Sequence, residues 1–115
     1  MTMEVKRGDV FLVNFGAAYG SVQGGLRPAV VVQNDVGNLH SPTVTVLPIT
    51  SMTKKRHLPT HVLLEQGVAG LRMESMILTE QICTISKTQM NARIGTVSTV
   101  IQTRISNAIR IQLDI

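Results

Sequence analysis

The chain has one cysteine, no tryptophan and only three aromatic rings, Phe11, Phe15 and Tyr19, among 115 residues. A single cysteine excludes an internal disulfide and any multi-cysteine zinc site. Three rings cannot build the stacking platforms with which many single-strand RNA-binding domains hold successive bases. Apolar runs are short, none approaching the roughly 18 residues that span a bilayer. The first ten residues, MTMEVKRGDV, lack the apolar core of a secretory leader, so the expected compartment is the cytoplasm and no membrane partner is expected. Charged residues make up only 16% of the chain, yet the hydrophobic share of 43% argues against disorder. Acidic groups are outnumbered, seven against eleven Lys and Arg, for a net charge of +4. That balance mildly favours a polyanionic partner.

What is present is patterned as strands followed by one helix. The length suits a single domain over residues 1–115. Val5 to Phe15 alternates, with Val10, Leu12 and Asn14 on one side and Phe11, Val13 and Phe15 on the other, broken early by Gly8-Asp9. Residues 16–25 (GAAYGSVQGG) hold four of the nine glycines, a loop of unusual backbone freedom. Arg27 to Gln33 reads as a buried strand, Asn34 to Pro42 as a polar turn-rich link that includes His40, and Thr43 to Ile49 as a half-buried strand. Further strands are expected at 60–65, 75–80 and 81–85, with a short helix or turn near 86–91. Ser98 is a suitable N-cap. Beyond it Val100, Ile101, Ile105, Ala108 and Ile109 recur at helical spacing, with Gln102, Arg104 and Arg110 turned outward. The expected fold is mainly β: a small, strongly bent sheet or barrel with a C-terminal amphipathic helix packed on it.

Three segments carry chemistry. In Gly20 to Pro28, adjacent glycines Gly24 and Gly25 permit close backbone approach, and Pro28 biases Arg27 toward an extended conformation. A guanidinium there is shaped either to grip two phosphate oxygens or to make a strand-end ion pair. Thr50 ends the PIT stretch, as a hydroxyl for catalysis or a residue of high β propensity. Glu74 to Gln81 reads as a strand whose polar side either faces solvent or reads base edges. Cys83, between Ile82 and Ile85, reads as a small buried hydrophobe. Lys54, Lys55, Arg56 and His57 form a basic loop, solvated or drawing in phosphates. His40, His57 and His61 are the only histidines, and with His40 in a turn and His57 in the basic loop an acid–base pair of histidines is not the expected chemistry.

Read in order, RGDV at 7–10, GSVQGGLRPAVVVQND at 20–35, PIT at 48–50, LPTHV at 58–62 and ILTEQICTI at 77–85 resemble the MazF/PemK/Kid ribonuclease toxins. The likeness runs from about Lys6 to Arg110. It implies an SH3-like barrel of the PemK/CcdB kind, acting as a homodimer. It also implies a sequence-specific endoribonuclease that cleaves single-stranded RNA with no metal or other cofactor, and an acidic antitoxin of the MazE kind as partner. By position, the family's essential arginine falls on Arg27 and its catalytic threonine on Thr50. RNA contacts fall on Ser21, Gln23, Gly24, Gly25, Ser75, Glu80 and Gln81, with Leu58 and His61 beside them. Relatives of this type imply a preference for a U-A-C-A-U-like sequence.

The chemistry is consistent with that likeness. RNA supplies its own nucleophile, the 2′-OH, so an enzyme need only orient it and stabilise a doubly charged phosphorus centre. A guanidinium, a hydroxyl and backbone amides suffice, and because a guanidinium is a poor base at neutral pH, its expected role is electrostatic. The sequence departs from the family where many members carry Glu at the place of Val22, and Arg and Asp at the places of Cys83 and Ser86. The alternatives are a CcdB-like toxin that binds gyrase without catalysis, and an RNA-binding relative without activity.

Overall fold

The structure is a computed structural model that describes residues 3–20, 22–51 and 58–115. Among these residues seven strands and two α-helices follow in the order β1 (Asp9–Asn14), β2 (Leu26–Val31), α1 (Asp35–His40), β3 (Thr43–Thr50), β4 (His61–Leu64), β5 (Ser75–Leu78), β6 (Cys83–Ser86), β7 (Met90–Thr96) and α2 (Thr99–Leu113). All pairings are antiparallel, in the order β4-β5-β3-β2-β1-β7, with β6 attached to β3 off that path. The expectation of a mainly β fold with a C-terminal helix is met. The barrel, however, is not closed: among the described residues β4 and β7 are the two ends of the sheet and do not pair with each other.

The bend of the sheet has a local cause in β3. Its first half, Thr43 to Val46, pairs with β6, and its end, Ile49 and Thr50, pairs with β5. Pro48 lies between the two partners, where a missing N–H costs no ladder bond on that edge. Because side chains alternate along a strand, this sheet buries both faces. Val10, Val30, Leu47 and Ile49 join Ile105 and Ala108 of α2 in one core. Phe11, Val13, Ala29, Val31, Val44 and Val46 form a second with Ile85 and Met90. Ser98 caps α2 by accepting from the Ile101 amide, as expected. Val100, though helically spaced with the apolar residues, is exposed.

The break expected at Gly8-Asp9 is present: Gly8 takes a positive φ of 93° and turns the chain, and the first strand begins at Asp9. Two local expectations are corrected. Residues 35–40 form a helix rather than a turn, and His40 ends it. Asn34 caps that helix by accepting from the Gly37 amide, and the buried Asn38 ties it to Gln33 and Asp35. Finally, the strand expected at 75–80 stops at Leu78, and Thr79–Gln81 make a single 3₁₀ turn before Cys83 begins β6.

Asp35 gives the fold a small acid sensitivity. The Arg7 amide donates to its Oδ1 at 2.7 Å and the Asn38 side chain at 3.1 Å, and these hold its carboxyl below the ordinary 3.8. A carboxyl lowered in the folded state stabilises above its unfolded value, and that contribution disappears as pH falls through the folded value. We expect Asp35→Asn to flatten the acid side of the stability profile below about pH 4, read from urea midpoints; an unchanged profile assigns the acid sensitivity elsewhere.

Candidate active site

A groove of about 770 Å³ opens where β2 and β3 diverge, and Gly24, Gly25, Arg27, Thr50 and Ser75 all line it. Another cavity, of about 690 Å³, lies between the N-terminal segment and α1 and contains none of the candidate residues.

The glycine-rich loop positions Arg27. Its base is closed by hydrogen bonds from Phe15 N to Gly25 O at 2.9 Å and from Gly25 N to Gly16 O at 2.7 Å. Gly24 is pressed against the incoming strand of the loop: a Cβ there would stand 2.5 Å from the Ala18 nitrogen. In that position the Gly24 carbonyl accepts from Arg27 Nε at 2.8 Å. The inner nitrogen is therefore committed to the loop. The two terminal nitrogens of Arg27 have no partner among the described residues, which leaves free the pair that grips an oxyanion side by side.

Thr50 comes from the end of β3 and is only 2% exposed. The β2–β3 register runs through Val30↔Leu47 and Ala29↔Pro48. The pairing ends there, and Arg27 and Thr50 each lie two residues beyond the last pair, both lining the groove. On the other edge Thr50 pairs with Met76, one residue from Ser75. Ser75 is buried and donates its hydroxyl to Met73 O at 2.8 Å. Guanidinium and hydroxyls from three neighbouring strands therefore meet at one opening.

The remaining candidates form a second group. The Gln23 amide donates to Gln81 Oε1 at 2.8 Å, tying the loop to the 3₁₀ turn. His61 Nδ1 accepts from the Leu58 amide at 3.1 Å, so the ring proton sits on Nε2 and is donated to Glu80 Oε2 at 2.8 Å. The His61 side chain is nearly buried and borders a smaller cavity beside Arg104 and Asn107 of α2, not the Arg27 groove. Leu58 is exposed. The other oxygen of Glu80 and the side-chain oxygen of Gln23 are buried without a hydrogen-bond partner among the described residues, a costly condition that an incoming donor would relieve. Ser21 lies outside the described residues, as do Lys54, Lys55, Arg56 and His57.

Val22, where many relatives carry Glu, is exposed at the loop tip, its amide bonded to Tyr19 O at 2.9 Å. Among the described residues lining the groove there is no carboxylate and no imidazole. Burial pushes the Cys83 thiol up from its ordinary value, which disfavours the reactive thiolate. Cys83 packs against the second core as a small hydrophobe but is only partly buried, less than the sequence suggests. Among the described residues no helix is long and apolar enough to cross a membrane. Sequence reasoning missed Ser51, Arg72 and Met73, which also line the groove. Their only signal was a lone arginine in a short segment between two elements.

The family of PemK-like, MazF-like toxins of type II toxin–antitoxin systems matches residues 6–113. The chain is 42% identical to "Endoribonuclease MazF" of Staphylococcus saprophyticus over 95% of this chain and 91% of that protein. It is 41% identical to "Endoribonuclease EndoA" of Bacillus subtilis over 96% of each. Among solved structures, MazF of Deinococcus radiodurans superposes with a TM-score of 0.84 at 17% identity, covering 99% of this chain and 100% of that one. A mycobacterial endoribonuclease in complex with its cognate antitoxin superposes with a TM-score of 0.80 at 22% identity, covering 96% of each.

Proposed function

The chain belongs to the PemK-like, MazF-like toxins of type II toxin–antitoxin systems, and from that premise we propose that Arg27 and Thr50 form its RNA-cleaving centre. It is an endoribonuclease toxin, which sets aside the reading as a gyrase-binding protein. Its partners are RNA and an antitoxin. In our reading the antitoxin is acidic and covers the positive groove, the active form is a homodimer of this domain spanning residues 1–115, and the compartment is the cytoplasm.

The observation that supports the assignment is the anchoring of Arg27 Nε by Gly24 O beside Thr50, leaving both terminal nitrogens for phosphate. In the proposed reaction the 2′-oxygen of the substrate attacks the adjacent phosphorus and the bond to the 5′-oxygen breaks. The 2′ proton passes to solvent, and the departing 5′-oxygen gains one. The products are a 2′,3′-cyclic phosphate and a 5′-hydroxyl. Arg27 neutralises charge on the non-bridging oxygens as it builds, and the Thr50 hydroxyl donates to the same centre. No metal enters this scheme. Gln23 and Glu80 offer acceptor oxygens, which suits a base carrying an exocyclic amino group. Ser21, Gly25, Ser75 and Gln81, with Leu58 and His61 at the edge, complete the proposed RNA contacts, and a U-A-C-A-U-like sequence is the proposed target.

Purified, antitoxin-free protein is expected to cut mixed-sequence single-stranded RNA in EDTA and to leave DNA of the same sequence intact. Uncut RNA under those conditions overturns the scheme. Thr50→Val, which keeps the shape but not the hydroxyl, is expected to slow cleavage by about 10²–10³, whereas Thr50→Ser retains most of the rate. Equal rates for the Val and Ser variants would remove Thr50 from the chemistry.

A further inference from the structure

Resting on the RNA-cleaving reading above, we propose that Arg72 is a second phosphate-binding cation, one that holds the RNA strand in the groove without taking part in bond cleavage. Arg72 lines the same groove as Arg27, Thr50 and Ser75 but comes from a different segment, the turn that leads into β5. Its side chain is exposed. Among the described arginines, Arg7 is bonded to Val32 O and Ser106, Arg27 to Gly24 O, Arg93 is paired with Asp9, and Arg110 is bonded to Asn107. Only Arg72 and Arg104 make no such contact, and Arg104 stands on α2, outside this groove. An uncommitted guanidinium facing a groove built for a polyanion is matched to a phosphodiester flanking the one that is cut.

The turn that carries Arg72 is held firmly. Leu71, next to it, is buried in the first core, and its carbonyl accepts from the Gly67 amide at 2.8 Å. Gly70, at a φ of 78°, lies so close to β7 that a Cβ would stand 2.1 Å from Ile94 O. On the facing strand, a Cβ on Gly95 would stand 2.3 Å from the Ala69 carbonyl. Two close backbone approaches thus fix the root of Arg72 relative to the sheet. A cation placed this way gains affinity because little backbone freedom is lost on binding.

The two arginines are then expected to differ in kind. Arg27 acts on the transition state and governs kcat, whereas Arg72 binds substrate and transition state alike and governs KM. The test measures binding of a fluorescent, mixed-sequence 2′-fluoro RNA, which lacks the nucleophile, to wild type, Arg72→Gln, Arg72→Lys and Arg110→Gln over a range of salt. Arg72→Gln is expected to weaken binding about threefold to fivefold and to lower the salt slope by about 0.7, the counterion share of one phosphate on a single strand. Arg72→Lys restores the slope, and Arg110→Gln, which removes the same charge from α2, leaves the slope at the wild-type value. If wild type binds and Arg72→Gln matches it in affinity and slope, the Arg72 assignment falls while the cleavage reading stands. If wild type itself fails to bind this RNA, both fall together.

Discussion

Arg27→Ala is expected to lower the single-turnover rate of RNA cleavage by about 10²–10³, the loss typical when one charge-stabilising donor is removed from a developing oxyanion. The size follows from what the side chain is free to do. Its Nε is committed to Gly24 O, and its terminal nitrogens have no protein partner among the described residues. The substitution therefore removes donors meant for substrate, together with one internal hydrogen bond. That bond is worth about 0.5–1.5 kcal/mol, and Arg27 belongs to neither core, so the variant should fold. Arg27→Lys keeps the charge but has neither the Nε–H that reaches the loop nor the planar pair of donors. It should recover only part of the lost rate. Cleavage measured beside thermal denaturation decides the matter: a folded Arg27→Ala protein that cuts at the wild-type rate would remove the guanidinium from the mechanism.

The parts of this site differ in how visible they were from the sequence, for physical reasons. Arg27 was legible because Gly24, Gly25 and Pro28 constrain the backbone around it, and such constraints are local. Thr50 was legible as the end of a β-branched strand, but its place in one groove with Arg27 depends on how β2 and β3 pair and separate, which only the folded sheet fixes. The alternation in β1, β2 and β3 marked both cores, since period two decides which side chains share a face. The helix at Asp35–His40 was hidden because it is six residues long and contains Gly37, a poor helix former. It exists because Asn38 is buried and hydrogen-bonded to Gln33 and Asp35, a tertiary gain that outweighs propensity. Glu80 and Gln81 were misplaced on a strand because the Ile82 amide donates to Thr79 O at 3.2 Å and closes a 3₁₀ turn there. Arg72 gave almost no signal. Its value comes from where Gly70 and Gly95 let two backbones meet, and no short window of sequence contains both.

Gly24→Ala tests whether the loop is part of the catalytic machinery or only a covering. The added methyl would stand 2.5 Å from Ala18 N and 2.7 Å from Ala18 Cα, and both are backbone atoms that cannot swing aside. The loop has to open, and the Gly24 carbonyl moves with it, so Arg27 loses the acceptor that aims it. A misplacement of about 1 Å at a positioned group can cost about 10² in rate. Gly24→Ala is therefore expected to slow cleavage by about 10² through an arginine that is still present. Gly25→Ala supplies the contrast. Its methyl would meet nothing within 4 Å, but its φ of 75° is a left-handed conformation that costs an alanine roughly 1–2 kcal/mol. If clash with Ala18 is the cause, the Gly24 variant loses far more activity than the Gly25 variant while neither loses much thermal stability, since the loop belongs to neither core. Equal losses in the two variants would point to general loosening of the loop and would detach Gly24 from the aiming of Arg27.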